Sequence, residues 1–255
     1  MPLDEVLEHV TTLARMRPRG RGFGVKGSSH LVFWPSYNTY KLGVLLGMIY
    51  GDGNLKRRET ALRTGHWRVE FCEGDASLVR RYAMLMHELF NVTPTVRNRG
   101  GWEEAYFCSR IFYEFLTFAG EHPNGVKAGK LDIPELARRS EEALRGFISG
   151  LFSVEGSPKG GRYPRLAIEM MEPKLMPGIR SVLRMRGFNP HLYSYPKNKG
   201  VMYGLYLYGG TECYRFLRQI GLLGKREQKL RRFLRSRRPA PPARKQPGGG
   251  TVRRL

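Results

Sequence analysis

One apolar, glycine-spaced stretch occurs twice in this chain, and the repeat constrains the fold more than any other feature. The first copy is Leu42-Gly43-Val44-Leu45-Leu46-Gly47-Met48-Ile49-Tyr50-Gly51-Asp52-Gly53-Asn54. The second is Leu144-Arg145-Gly146-Phe147-Ile148-Ser149-Gly150-Leu151-Phe152-Ser153-Val154-Glu155-Gly156-Ser157. Asp52 and Glu155 hold the same place in the two copies, 103 residues apart, and Gly43 and Gly47 align with Gly146 and Gly150. Gly43, Gly47 and Gly51 are spaced by four, so they share one face of a helix. Each glycine in a helix interior costs about 0.5–1 kcal/mol relative to alanine, which points to a use for the bare face: close approach of a second helix backbone. If the two copies pack face to face, their C-terminal ends lie side by side and Asp52 meets Glu155. Gly53 and Gly156 are expected to take the left-handed turn that ends a helix. A plainer reading is two core helices with incidental acids, but an acid at the same place in both copies tells against it. The apolar run from Leu42 to Tyr50 is far short of the roughly 20 residues of a membrane span.

The net charge is +22, from 44 Lys+Arg against 22 Asp+Glu. A small soluble domain commonly carries a magnitude of about 2–8, so the excess indicates a polyanionic partner, nucleic acid first. An anionic membrane surface fits less well, since no lipid anchor or long basic amphipathic helix is evident. Cys72, Cys108 and Cys213 are scattered without a Cys-x-x-Cys pair, which indicates neither a zinc module nor a disulfide framework. The N-terminal stretch lacks the apolar core of a signal peptide, and an intracellular protein is expected. Gln219, Gln228 and Gln246 are the only glutamines, a weak sign of a thermophilic source.

Residues 2–16 read as an amphipathic helix, followed by a Gly/Arg arm over 17–27 that is expected to hold no regular structure. The segment from Arg237 reads as a disordered basic tail. Between these ends the chain repeats beyond its two glycine stretches. His66-Trp67-Arg68-Val69-Glu70-Phe71-Cys72 alternates as a strand with Trp67, Val69 and Phe71 on one side. Asp75 caps a helix with Leu78, Tyr82, Leu85, Leu89 and Phe90 as its stripe. A second hairpin turns at Gly100-Gly101, and Arg110–Ala119 is a short helix. Arg165–Glu172, Lys174–Arg186, the pair Asn189–Tyr195 and Val201–Tyr208, and Tyr214–Leu217 replay that order, with Glu70 and Glu73 matching Glu169 and Glu172 at a spacing of 99 residues. The expected fold is α+β: two pseudo-twofold αββαββα halves forming a β-sheet saddle, with the two glycine helices at the interface. The expected divisions are an arm over 1–35, halves over 36–135 and 136–236, and a tail over 237–255. The polar sheet faces carry Lys56, Arg58, His66, Arg68, Arg97 and Arg99 in one half, and Lys159, Arg165, His191, Tyr193, Tyr195 and Tyr203 in the other. A twisted two-stranded ribbon fits the DNA major groove, so these are the candidate DNA contacts. Solvated sheet faces are the plainer alternative, against which the density of arginine and tyrosine tells.

The paired stretches resemble the motifs of LAGLIDADG homing endonucleases in their single-chain, two-motif form, over about residues 36 to 235. Glutamate stands for aspartate in the second copy. The resemblance implies an intron-encoded, site-specific double-strand DNA endonuclease, active as a monomer on a long, partly asymmetric site. It would cut across the minor groove and leave short 3′ extensions. Asp52 and Glu155 would be catalytic and would bind Mg²⁺, with Mn²⁺ as a substitute and the carbonyls of Gly51 and Val154 as further ligands. Two carboxylates suffice for Mg²⁺, which keeps water and phosphate oxygens in its shell. In the family a lysine after each half's last helix lies near the site; Lys127 and Lys225 are the counterparts by position. Polar residues near the end of each half's second strand also support the site, which here are Glu73 and Glu172. A maturase that assists splicing, and a non-cleaving DNA-binding regulator, remain alternatives on the same fold. The acid pair favours the enzyme over the regulator, because each acid repels DNA. An intein origin is not expected, since the chain begins Met-Pro and lacks a terminal His-Asn.

Overall fold

A computed structural model describes residues 17–19, 22–24, 39–58, 66–118, 122, 127, 129–160, 163–198 and 200–236. The helix expected over 2–16 and the tail over 237–255 lie outside the described residues. The arm departs from expectation: β1 (Arg17–Arg19) and β2 (Gly22–Gly24) pair antiparallel, with Pro18 opposite Phe23. Two residues, one a glycine, separate these strands. That spacing is a hairpin signal, which the basic composition had obscured.

The glycine stretches form α1 (Tyr40–Asp52) and α5 (Glu141–Glu155). Thr39 and Ser140 cap them through hydroxyls that accept from Leu42 N and Ala143 N, satisfying donors that a helix start leaves open. The two helices pack backbone to backbone. A Cβ on Gly43 would stand 2.0 Å from the Ala143 carbonyl oxygen, and one on Gly47 would stand 2.1 Å from that of Phe147. Reciprocally, Gly146 faces the Tyr40 oxygen at 2.1 Å and Gly150 the Val44 oxygen at 2.2 Å. No side chain fits at any of the four positions. Gly53 and Gly156 do not take the expected left-handed turn: their φ values are −78° and −66°, extended backbone that leads straight into a strand. Glycine is needed there for space, since a Cβ would meet Ile49 O at 2.5 Å or Phe152 O at 2.1 Å.

The first half continues through β3 (Gly53–Arg58), β4 (His66–Glu73), α2 (Ala76–Phe90), β5 (Thr95–Asn98), β6 (Glu103–Cys108) and α3 (Arg110–Phe118). After a short α4 (Glu135–Arg138) and α5 come β7 (Ser157–Lys159), β8 (Arg165–Met170), α6 (Leu175–Met185), β9 (His191–Lys197), β10 (Gly200–Tyr208) and α7 (Gly210–Gln219). Each half holds one four-stranded antiparallel sheet, ordered β3-β4-β6-β5 and β7-β8-β10-β9. Alternate residues of each sheet bury one face: Leu55, Val69, Phe71, Ala105 and Phe107 in the first half, Leu166, Ile168, Leu205 and Leu207 in the second. The helices cover that face and leave the other open.

A further element was not foreseen. Gly224–Arg235, which follows the last helix expected in the second half, is a further helix, α8. Leu230 is its buried residue, so its apolar stripe is too thin to stand out in so basic a run. No described helix is long and apolar enough to cross a membrane.

Candidate functional site

Because α1 and α5 run side by side and end together, their last residues share one environment. Asp52 is pushed up to about 7, first by burial, then by Glu155 and by Glu73. Burial also raises Glu155, which Lys127 and Arg226 oppose. Three acids, Asp52, Glu155 and Glu73, and two cations therefore meet at the junction of the halves. This is the constellation that desolvation and like charge make reactive.

Lys127 reaches this junction from the segment that follows the first half. Its Nζ donates to the carbonyl oxygens of Tyr50 at 3.2 Å, Gly51 at 2.5 Å and Gly53 at 2.7 Å. Those carbonyls end α1, where the helix dipole is negative. Burial lowers the Lys127 pKa, and Glu155, Asp52 and Glu172 oppose that.

In the second half the matching cation is Arg226, not the expected Lys225. Arg226 Nε donates to Gly156 O at 2.8 Å, and Nη1 to Ser153 O at 2.9 Å and to Glu73 Oε2 at 2.8 Å. The side chain of Lys225 is exposed, while its backbone N–H donates to Asp75 Oδ2 at 2.5 Å. The reason is helical phase: Lys225 and Arg226 are neighbours at the start of α8, and one faces the motif while the other faces out. The repeat itself carried the signal, since 127 and 226 differ by 99, as Glu73 and Glu172 do. Val154 packs its Cγ2 beside Gly51, 2.1 Å from where a Cβ there would stand.

The polar sheet faces differ between halves. In the first, Lys56 and Arg68 pair with the buried Glu70, and Arg68 and Arg99 with the buried Glu104. Arg68 and Arg97 stack over Tyr106, with guanidinium carbons 4.1 and 4.7 Å from the ring centroid. Arg58 and His66 sit opposite one another at the end of the β3–β4 ladder; their side chains are outside the described residues. Glu70, Cys72 and Glu104 bring three potential ligand atoms within 4.8 Å of one another. Lys56, Arg68 and Arg99 already neutralise the two acids, and burial pushes the Cys72 thiol up to about 11, so the cluster is an ion-pair network rather than a metal site.

In the second half, Arg165 lies over Tyr206 with 5.7 Å from carbon to centroid, and His191 stacks on Tyr193 at 6.4 Å. Tyr195 donates to Glu169 at 3.0 Å and Tyr206 donates to it at 2.5 Å. Lys159 is exposed on β7. Tyr203 is a correction: it packs against the core. Leu205 and Leu207, two and four residues on, are buried on its side. The residues of β10 on the open face are instead Tyr206 and Tyr208, stacked at 5.7 Å. The alternation of β10 would have revealed this had it been phased on its leucines.

No protein-family model and no curated protein matches the sequence. Solved structures do. Variants of the homing endonuclease I-DmoI superpose with a TM-score of 0.58 at 18% identity, covering 72% of this chain and 92% of theirs. I-DmoI in complex with DNA and Mn gives 0.56 at 19% identity, with 72% and 97% covered. I-SmaMI bound to an uncleaved DNA target in the presence of calcium ions gives 0.50 at 12% identity, with 76% and 89% covered. Together with the paired glycine helices and the two sheets they join, these likenesses give the chain the single-chain, two-half fold of the LAGLIDADG homing endonucleases.

Proposed function

We propose that this protein is a metal-dependent, site-specific double-strand DNA endonuclease of the LAGLIDADG homing endonuclease family, acting as a monomer. One observation carries the reading: two largely buried acids with raised pKa values end paired helices at the junction of two polar sheets, in a chain of net charge +22. A protein that only binds DNA gains nothing from burying two acids where phosphates converge. The I-DmoI structures with DNA and Mn or Ca, and one with Mg, support a divalent ion.

The residues fit such an ion. The donors are all oxygen, which suits Mg²⁺, with Mn²⁺ as a substitute. The carbonyls of Tyr50, Gly51 and Gly53 already surround one cation, the Lys127 ammonium. Asp52 and Glu155 would hold the metal, with Gly51 and Val154 offering carbonyls. Bound there, it supplies a hydroxide nucleophile at neutral pH and neutralises charge on the phosphodiester. The chain supplies the rest. Asp52, whose pKa is pushed up to about 7 in the free protein, would have to give up its proton to serve as a ligand. Lys127 and Arg226 place positive charge beside the acids, where they stabilise charge developing on each scissile phosphate. The two sheets hold the duplex so that both strands meet the junction, and cleavage across the minor groove leaves short 3′ extensions.

The test is a pair of substitutions, Asp52→Asn and Glu155→Gln. Each should abolish cleavage of a target duplex while gel-shift affinity stays equal or rises, since a negative charge facing phosphate is removed. Cleavage that persists in either variant rejects the assignment.

A further inference from the structure

The segments that carry the two cations at the junction are each fastened to the opposite half, while the cations themselves bond to the ends of the motif helices in their own halves. The segment that carries Lys127 belongs to the first half, yet it is fastened to the second. Gly129 N donates to Met171 O at 2.9 Å, and Leu131 N donates to Glu172 Oε2 at 2.9 Å. Glu172 is a buried carboxylate that belongs to the second half. Conversely, Arg226 belongs to the second half, and the first half fastens the start of its helix through Asp75 and accepts from its guanidinium through Glu73. Asp75 caps α2 through Oδ1, which accepts from Ser77 N at 3.0 Å, while its Oδ2 accepts from Lys225 N at the start of α8. One buried carboxylate thus caps two helices from different halves, and α8 has no side-chain cap of its own. Gly224 stands at φ 68°, and a Cβ there would meet Asp75 Oδ2 at 2.5 Å, so this approach is built into the backbone.

We infer that Glu172 and Asp75 are positioning residues acting across the pseudo-dyad: Glu172 sets Lys127, and Asp75 sets Arg226, so each strand's cleavage depends on an acid from the opposite half. The inference rests on the endonuclease reading. Its physical basis is that a cation 1 Å out of place loses much of its effect on the transition state, while affinity, spread over many phosphates, changes little. The lowered pKa of Asp75, on which the hydrogen bonds from Lys225 and Ser77 outweigh burial, accords with a carboxylate that accepts from both helices.

The experiment follows each strand separately on an end-labelled duplex at saturating protein and Mg²⁺. Lys127→Met and Arg226→Met define which strand each cation serves. Glu172→Gln keeps the shape and weakens the acceptor; Asp75→Ser keeps the α2 cap but is too short to reach α8. The expected result is that Glu172→Gln slows the Lys127 strand about tenfold and Asp75→Ser the Arg226 strand similarly, with Kd within twofold. Adding Glu172→Gln to Lys127→Met should slow that strand no further, because the two act as one unit. Equal slowing of both strands, slowing of the wrong strand, or additive losses would overturn the inference. Absence of cleavage by the native protein on every duplex would instead overturn the endonuclease reading. The clamp then stands or falls on amine acylation of the intact protein: Glu172→Gln should speed modification of Lys127 and Asp75→Ser should not. Equal reactivity in the native protein and both variants overturns it.

Discussion

Asp52 is the residue on which folding and function disagree most. Its folded pKa of about 7 lies above its ordinary 3.8, so the native state holds a proton that the unfolded chain has released. Stability contributed by this site is therefore full at acid pH and falls as pH rises from about 4 to 7. Asp52→Asn removes that loss. Thermal melts without metal should show the variant more stable than the native protein by about 1–4 kcal/mol at pH 8, at about 1.4 kcal/mol per unit, and nearly equal to it at pH 4. A variant less stable at pH 8 would contradict this. On the proposed assignment of Asp52 as a metal ligand the same proton would compete with the ion, so cleavage at limiting Mg²⁺ should rise through pH 7 and flatten at saturating Mg²⁺. Lys127→Met and Arg226→Met should each cut the rate about 10²–10³-fold, the order of losing one oxyanion donor, whereas Lys225→Met should cut nearly normally. Equal losses for Lys225 and Arg226 would return the site to its carboxylates alone. That Asp52, Glu155 and Lys127 meet at the junction could be expected from the sequence, because their positions relative to a repeated motif are fixed. Arg226 and Lys225 look alike in composition, and only the 99-residue spacing of the repeat separates them: one step around a helix divides a half-buried guanidinium from an exposed ammonium.

The element that fixes the site is the α1–α5 pair. Gly47 and Gly150 face carbonyl oxygens at about 2 Å from any added Cβ, and the contact is backbone on backbone, which cannot repack. Gly47→Ala should destabilise the fold by about 3 kcal/mol or more, at the upper end of overpacking costs. It should also reduce cleavage in whatever fraction still folds, because Asp52 moves relative to Glu155. Chemical denaturation gives the first quantity, and rate per folded molecule the second. A Gly47→Ala protein of native stability would mean that the helices do not pack at this distance. The spacing of the glycines made this helix pair legible. The extended conformation of Gly53 and Gly156 was not, since a glycine needed for space and one needed for a left-handed turn look alike in sequence. The face of Tyr203 is not legible from its residue type, because tyrosine suits both sides of a sheet, and the buried leucines of β10 set its phase.

At the scale of the molecule, the repeat order of helix and strand pairs is local and periodic, so the architecture was readable before any contact was known. What joins the halves was not: the bonds from Glu172 and Asp75 to opposite segments connect residues 41 and 150 positions apart, with no periodicity to announce them. Both halves lie in one chain, so one molecule should bind one duplex. Affinity should fall about 10³–10⁵-fold between 50 and 200 mM salt if some 6–10 phosphates are contacted. Sedimentation showing two protein molecules per duplex, or a shallow salt slope, would contradict the saddle. The most direct test of the central claim is to incubate the purified protein with a randomised duplex library in Mg²⁺ and sequence the new ends. The account expects one extended sequence to be enriched, with both strands cut a few base pairs apart and 3′ extensions, and no such ends from Asp52→Asn. No enrichment with the native protein, or the same ends from Asp52→Asn, would contradict it.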